Sequence, residues 1–382
     1  MGDKMQINEV NAKSILRKHK RIDSWFISKY GINLYRGCSH DCAYCDGRAE
    51  GYYVEGDFSK DIIVKVNAEE LLNRELDRTR KRKLMPTCFI TLGGGVSDAY
   101  QHIEKKYELS RKTLLLIEKY NWPVHILTKS NLVLRDLDII KRINEKSKAI
   151  VSFSFSSVDD EISKIFENGS SLPSKRLEAI KIIKEAGITT GIFYMPVIPL
   201  ITDSKKQMEE TLNKCKEAGV EFAIFGSMTL KPGRQKEYFM NVLKEYYPMY
   251  VERYNKHYLD NNKYGAPSHE YRVFIHKQFK KIADELNIPI RIPSYYFEEI
   301  LSKKDLAAVI LDQMGYLSRV NNLKNNYSYA SYQLSLLKTD IELLSFEELS
   351  EIKGIGDKNA KIIKEIIETG KCKYYEKLLR IN

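Results

Sequence analysis

A chain of 382 residues with 43% hydrophobic side chains is long enough to bury a sizeable core, and it predicts one large domain with attached pieces. No stretch approaches the roughly 20 apolar residues that span a bilayer, and residues 1–23 carry mixed charge without an apolar leader segment, so the expectation is a cytoplasmic protein with no membrane partner. Lys and Arg outnumber Asp and Glu by 62 to 51, a formal charge of +11 that favours a polyanionic partner.

Residues 1–25 read as an N-terminal extension. From there to about residue 235, short β-branched or aromatic runs alternate with amphipathic stretches at helical spacing, the pattern of consecutive βα units. Strands are predicted at 31–35, 62–66, 88–92, 124–128, 149–155, 190–195 and 222–228, and helices at 68–81, 108–120, 132–144, 175–186 and 205–218. Two helices end on the same phrase, Lys184-Glu185-Ala186-Gly187-Ile188 and Lys216-Glu217-Ala218-Gly219-Val220, where a glycine caps the helix before an apolar strand. Six or seven units are fewer than a closed eight-fold barrel uses, which predicts an α/β fold with a partial, open (β/α)6-type barrel and its chemistry at the carboxyl ends of the strands.

Residues 236–320 change in texture. Tyr246, Tyr250, Tyr254 and Tyr258 recur at helical spacing, which points first to packing and second to a base-stacking groove. A helix at 272–286 and a β-like run at 288–297 complete this extension. Asn- and Ser-rich residues 321–340 read as a linker, and 341–382 as a separate small all-α unit.

Three of the six cysteines, Cys38, Cys42 and Cys45, fall within eight residues just past the first predicted strand. That clustering does not resemble a disulfide framework and asks for a metal. Three thiolates on one tight loop can bind three irons of a [4Fe–4S] cubane and leave the fourth iron without a protein ligand, whereas zinc usually takes four ligands in paired spacings. An open iron can be chelated by S-adenosylmethionine and pass an electron into its sulfonium.

The runs Lys13-Ser14-Ile15-Leu16 and Asn33-Leu34-Tyr35-Arg36-Gly37-Cys38 resemble the start of radical S-adenosylmethionine enzymes related to spore photoproduct lyase. So do Ser97-Asp98-Ala99-Tyr100-Gln101-His102-Ile103-Glu104, Thr128-Lys129, Phe153-Ser154-Phe155-Ser156 and Leu230-Lys231-Pro232-Gly233-Arg234. The resemblance covers roughly residues 10 to 300. It implies that Tyr44 packs near the adenine, that Gly93, Gly94 and Gly95 with Ser97 meet the methionine end, and that Lys129, Ser156 and Ser157 approach the carboxylate or ribose. It also implies a reductant such as flavodoxin or ferredoxin. Two departures stand out: the hydrogen-donating cysteine of the spore enzyme aligns with Gly95, and Asp46 stands where many relatives have an aromatic. Cys88 lies seven residues before Gly95 and reads as a buried structural thiol. Arg234, Arg291 and Tyr295 are candidates for substrate contact.

Near the end, Phe346-x-x-Leu349-x-x-Ile352-Lys353-Gly354-Ile355-Gly356-Asp357-Lys358-Asn359-Ala360-x-x-Ile363 resembles a helix-hairpin-helix, a DNA-binding module. Two glycines permit a tight turn, and Lys353, Lys358 and Lys361 surround the exposed N–H groups of the second helix, a site for phosphates. The combined expectation is a radical enzyme, lyase-like, that generates a 5′-deoxyadenosyl radical on a nucleic-acid substrate, DNA rather than RNA, in repair or modification. The alternative is a radical enzyme that acts on tRNA, a protein or a small metabolite, with the terminal module as a docking element. A non-catalytic iron–sulfur binder fits less well, because a structural cluster would prefer four protein ligands.

Overall fold

Strands buried almost without interruption are covered on both faces, and five such runs form the centre of this chain. In a computed structural model that describes residues 5–52, 56–79 and 85–379, ten strands are present. They are β1 (Gln6–Val10), β2 (Leu16–Asp23), β3 (Ser28–Ile32), β4 (Tyr35–Arg36), β5 (Asp61–Lys65), β6 (Phe89–Leu92), β7 (Val124–Thr128), β8 (Ala149–Phe155), β9 (Thr189–Val197) and β10 (Ala223–Ser227). Seven of them make one curled half-barrel sheet in the order β10-β9-β8-β7-β6-β3-β2, parallel throughout except that β2 runs antiparallel to β3. The helices Leu109–Lys119, Leu137–Lys146, Pro173–Glu185 and Lys205–Glu217 return the chain between strands and bury Leu114, Ile140, Ile183 and Leu212.

The strand predicted at 62–66 exists, but it belongs to a second sheet, β1-β5-β4. Its pattern explains the difference: only Ile62 and Val64 of β5 are buried, a strand covered on one face, whereas all four residues of β6 are buried. Its place in the barrel is taken by β2, a strand inside the predicted N-terminal extension that sequence patterning passes over because only Leu16 among its eight residues is buried.

Two further expectations are corrected downstream. The β-like run at 288–297 forms no strand; Pro289 accepts one hydrogen bond from Ala223 N, and a 3-10 turn follows at Ser294–Tyr296. The predicted linker contains the helix Tyr327–Leu336, which buries Tyr327, Ala330 and Leu334 against the long helix Lys303–Val320. The terminal helices Gly356–Thr369 and Lys373–Leu379 pack on that same long helix, with Phe346–Glu351 packed on Gly356–Thr369, so Ile363, Ile366 and Tyr375 share one continuous core with the barrel. Tyr254 and Tyr258 are buried and bonded to Pro199 O and Met228 O, so packing is their role, while Tyr246 is exposed. No helix among the described residues is long and apolar enough to cross a membrane.

Candidate active site

The loop 37–45 follows β4, the short strand that succeeds β3, and is held from several directions. Gly37 adopts φ +77°, and a side chain there would collide with the Asp61 carbonyl, so the turn into Cys38 requires glycine. Cys38 N donates to Phe58 O at 2.9 Å and Ala43 N to Phe166 O at 2.8 Å. The buried Gln101 clamps the loop with its amide, accepting from Ser39 N at 2.8 Å and donating to Gly37 O at 3.1 Å. Arg48, buried against the Tyr238 ring, donates to Cys42 O at 3.1 Å and pairs with Asp41.

Cys38, Cys42 and Cys45 line one cavity of about 730 Å³ together with Tyr44, Gly93, Gly94, Gly95 and Lys129. Its volume lies in the range of cofactor pockets. Burial pushes all three thiols up, that of Cys42 to about 12, and a bound cation would favour their thiolate forms. No three His, Cys, Asp or Glu side chains among the described residues are gathered closely enough to share one ion. A cubane asks for less, since each thiolate holds a different iron. Gly93 has φ +88°, and a side chain there would strike the Leu127 carbonyl; a Cβ on Gly95 would meet nothing within 4 Å, which leaves backbone open toward the cavity. The residues therefore fit a three-thiolate cluster with a small-molecule ligand beside it.

Asp98 ties three elements together: it accepts from Thr128 Oγ1 at 2.8 Å and Lys129 N at 2.7 Å, and its Oδ2 lies 3.4 Å from His40 Nδ1. Burial lowers the His40 pKa to about 4. Beneath Tyr44 lies a second network centred on Glu167. Its carboxylate accepts from Tyr44 Oη and Arg176, from Ser156 Oγ at 2.8 Å and from Lys129 Nζ at 3.0 Å. Burial alone would raise the Glu167 pKa, but the Arg176 and Lys129 cations and the Tyr44 hydroxyl hold it well below the usual carboxylate range. Lys129 Nζ also lies 2.9 Å from Ser154 Oγ and 5.5 Å from the Tyr44 ring centroid.

Several expected residues fall elsewhere. Ser156 bonds Glu167 and Ser157 Oγ faces Gln207, while the cavity wall on that strand is Ser154. Ser97 is buried with an unpartnered hydroxyl, and its neighbours Val96 and Asp98 form the wall. None of Arg234, Arg291 and Tyr295 lines this cavity. Arg234 N bonds Glu50 at the rim of a neighbouring cleft, the buried Arg291 stacks on Tyr316, and the half-exposed Tyr295 packs on Tyr296. Asp46 lines the cavity and is bonded by Thr229 Oγ1 at 2.8 Å and Lys231 Nζ at 2.9 Å. Gln101, Glu167 and Arg176 were not singled out as site residues; Gln101 and Asp98 sit in the block 97–104, the one signal that pointed at them.

The hairpin 352–355 joins Phe346–Glu351 to Gly356–Thr369, with Gly354 at φ +88° and Gly356 at φ +62°. Lys353, Lys358 and Lys361 are exposed around it, Lys358 Nζ lying 5.0 Å from the Tyr327 ring centroid.

The model of the radical SAM superfamily matches residues 32–212. An uncharacterised protein of Mycobacterium tuberculosis is 31% identical over 260 residues, 67% of this chain and 74% of that protein. Another, of Methanocaldococcus jannaschii, is 31% identical over 249 residues, 65% of this chain and 86% of that protein. Among solved structures, spore photoproduct lyase complexed with dinucleoside spore photoproduct aligns over 73% of this chain and 79% of its own with a TM-score of 0.52. A double mutant of that lyase with bound AdoMet and the same dinucleoside aligns over the same shares with a TM-score of 0.52. At 18% identity both are likenesses of fold.

Proposed function

The chain belongs to the radical SAM superfamily, and from that premise we propose that Cys38, Cys42 and Cys45 hold its [4Fe–4S] cluster and that its radical chemistry acts on DNA, in repair or modification related to that of spore photoproduct lyase. As an enzyme of this superfamily it uses S-adenosylmethionine and takes its electron from an external reductant, a role suited to a flavodoxin or ferredoxin. A cluster held by Cys38, Cys42 and Cys45 would supply the electron that cleaves the sulfonium of S-adenosylmethionine to methionine and a 5′-deoxyadenosyl radical, the species that would abstract a hydrogen atom.

The chain's own residues set the stage for that step. Gln101 and Arg48 fix the loop so that three thiols open on the cavity. Gly93, Gly94 and Gly95 supply close-approaching backbone for the methionine end. The Tyr44 ring, pinned through its hydroxyl to Glu167, offers a flat apolar surface for adenine, and Lys129 stands beside it as the cation for a carboxylate or ribose. Phe26, Phe193 and Met195 on the inner wall keep water from the radical.

The observation that carries this reading is the convergence of the three cysteines, the glycine turn and Lys129 on one cavity at the carboxyl ends of the strands. For DNA, the support is the net charge, the terminal hairpin and the fold shared with spore photoproduct lyase. Because Gly95 aligns with the hydrogen-donating cysteine of that enzyme, the proposed reaction is a relative of that lyase's and not a copy. The test is anaerobic incubation of the reconstituted enzyme with dithionite, S-adenosylmethionine and DNA or RNA carrying defined lesions, with mass spectrometry of the nucleosides. Conversion of a DNA lesion is expected. Turnover of tRNA only would replace this reading by the alternative.

A further inference from the structure

The terminal hairpin is a weak electrostatic anchor by itself. Residues 341–382 contain eight acidic and eight basic side chains, so the segment is formally neutral. The basic excess lies elsewhere: residues 13–21 hold Lys13, Arg17, Lys18, Lys20 and Arg21 with His19 and no acid. Four of those five bases fall on β2, the terminal strand of the seven-stranded sheet, and all four are exposed. A run of exposed bases is usually a solvated face. Here three features set it apart.

First, β2 is physically joined to the hairpin. The Arg21 guanidinium lies 4.8 Å over the Tyr332 ring, and Tyr332 stacks on Tyr329 at 6.5 Å between centroids and 22° between planes. Tyr329 in turn packs on Gly354, where any side chain would collide with its ring. Asn326 locks the contact by donating to Gly354 O at 3.1 Å while accepting from Asn359 at 3.1 Å. The ladder Arg21–Tyr332–Tyr329–Gly354 thus fixes the hairpin against the strand, on what the sequence reads as a linker. Second, a groove of about 480 Å³ follows His19, Lys20 and Arg21 between β2 and the helices Lys303–Val320 and Tyr327–Leu336. Its acids are engaged internally: Asp312 accepts from Ser24 Oγ at 2.5 Å, and Asp23 accepts from Trp25 N at 2.7 Å. Third, the strand leads to the site, since Trp25 lines both this groove and the cysteine cavity and Arg17 lines the cavity.

We infer that β2, coupled to the terminal hairpin through Tyr329 and Tyr332, forms with it a single cationic face that holds the backbone of duplex DNA along the open edge of the barrel. This rests on the DNA reading above and assigns most of the charge to the strand. Phosphate contacts of this kind position a substrate without reading its sequence.

The test measures fluorescence anisotropy of a labelled 20-base-pair duplex with full-length reconstituted enzyme across a salt series. Each lost phosphate contact removes about 0.9 from the slope of log affinity against log salt. The triple variant Lys18→Gln, Lys20→Gln, Arg21→Gln should lower the slope by roughly two to three units and the affinity at least tenfold. The charge-retaining variant Lys18→Arg, Lys20→Arg, Arg21→Lys should keep the slope, which guards against a folding defect. Tyr332→Ala, which changes no charge, should weaken binding by uncoupling the two parts. A wild-type slope in the triple variant, with Lys353→Gln, Lys361→Gln alone lowering it, overturns the inference and leaves the DNA reading intact. Absence of duplex binding by the wild type, or tighter binding of the matching RNA duplex, overturns the DNA reading itself.

Discussion

Lys129 Nζ sits 3.0 Å from Glu167 Oε1, at a carboxylate that also takes the guanidinium of the fully buried Arg176. The two cations differ in exposure, with side chains 13% and 0% exposed, and that separates their roles. Glu167→Gln strands the Arg176 charge in the interior and should cost about 3–5 kcal/mol of stability in denaturant unfolding. Lys129→Ala should cost far less stability, keep the iron content and weaken S-adenosylmethionine binding by about tenfold to a hundredfold, the worth of one charge-assisted contact. A titration that finds equal affinity in Lys129→Ala and wild type removes Lys129 from the ligand pocket.

Replacing Cys38, Cys42 or Cys45 by Ala should abolish both the cluster absorbance and 5′-deoxyadenosine formation. Cys88, Cys215 and Cys372 are buried away from this cavity, Cys88 donating to Ile27 O at 3.2 Å. Their Ala variants should therefore retain full iron. Iron at the wild-type level in the triple Cys38, Cys42, Cys45 variant would refute the ligand assignment.

Gln101 touches the cysteine loop only through two backbone bonds, to Gly37 O and Ser39 N. Gln101→Ala should leave secondary structure unchanged by circular dichroism but lower the iron retained after reconstitution and broaden the cluster's electron paramagnetic resonance signal. Gln101→Glu keeps the acceptor and loses the donor, so it should fall between the two. Identical spectra for all three proteins would show that the loop holds its shape without the clamp.

His125 gives a pH dependence with a defined sign. Its Nδ1 lies 3.2 Å from Phe26 O, which can only accept, so the proton is on Nδ1 and Nε2 accepts from Ser152 Oγ at 2.8 Å. Burial lowers its pKa from 6.5 to about 4. The unfolded chain takes up a proton below pH 6.5 that the folded chain refuses until about pH 4, so stability is full above that window and declines through it as pH falls. The decline attributable to this residue should approach 1.4 kcal/mol per pH unit. Denaturant midpoints at pH 7.5, 6 and 5 should show it, with a shallower fall in His125→Asn, which keeps the donor to Phe26.

The centre of the fold was legible because β7 and β8 are short runs rich in β-branched and aromatic residues between amphipathic helical stretches, and both were bounded to the residue. The cysteine motif was legible because its chemistry resides in spacing. β2 was not, since an edge strand with one buried residue carries no hydrophobic period. Glu167 and Arg176 were not, because a buried ion pair is a property of two helices meeting, and along the chain each reads as a surface charge. The helix Tyr327–Leu336 was hidden by its Asn and Ser content, although Tyr327, Ala330 and Leu334 already stand at helical spacing.

The terminal helices suggest a last test, because composition makes them a detachable module and packing makes them part of the core. Tyr375 is buried, and its hydroxyl donates to Ile292 O at 3.2 Å and lies 2.6 Å from Gln313 Oε1. Gln313 donates onward to Ser24 O at 3.1 Å, beside the turn between β2 and β3. A chain of two polar contacts, Tyr375 to Gln313 to Ser24, thus runs from the last helix to the edge of the barrel. Truncation after Asn326 would expose the face of Lys303–Val320 that buries Leu334, Ile363 and Ile366. The truncated protein should consequently aggregate or unfold at a markedly lower denaturant concentration, and Tyr375→Phe, which leaves the buried acceptors Ile292 O and Gln313 Oε1 without the hydroxyl donor they share, should cost about 1–3 kcal/mol. A truncated chain that unfolds at the wild-type midpoint and still assembles its cluster would establish the opposite, that the last 56 residues form an independent unit and that the contact between Tyr375 and Gln313 contributes nothing to the barrel.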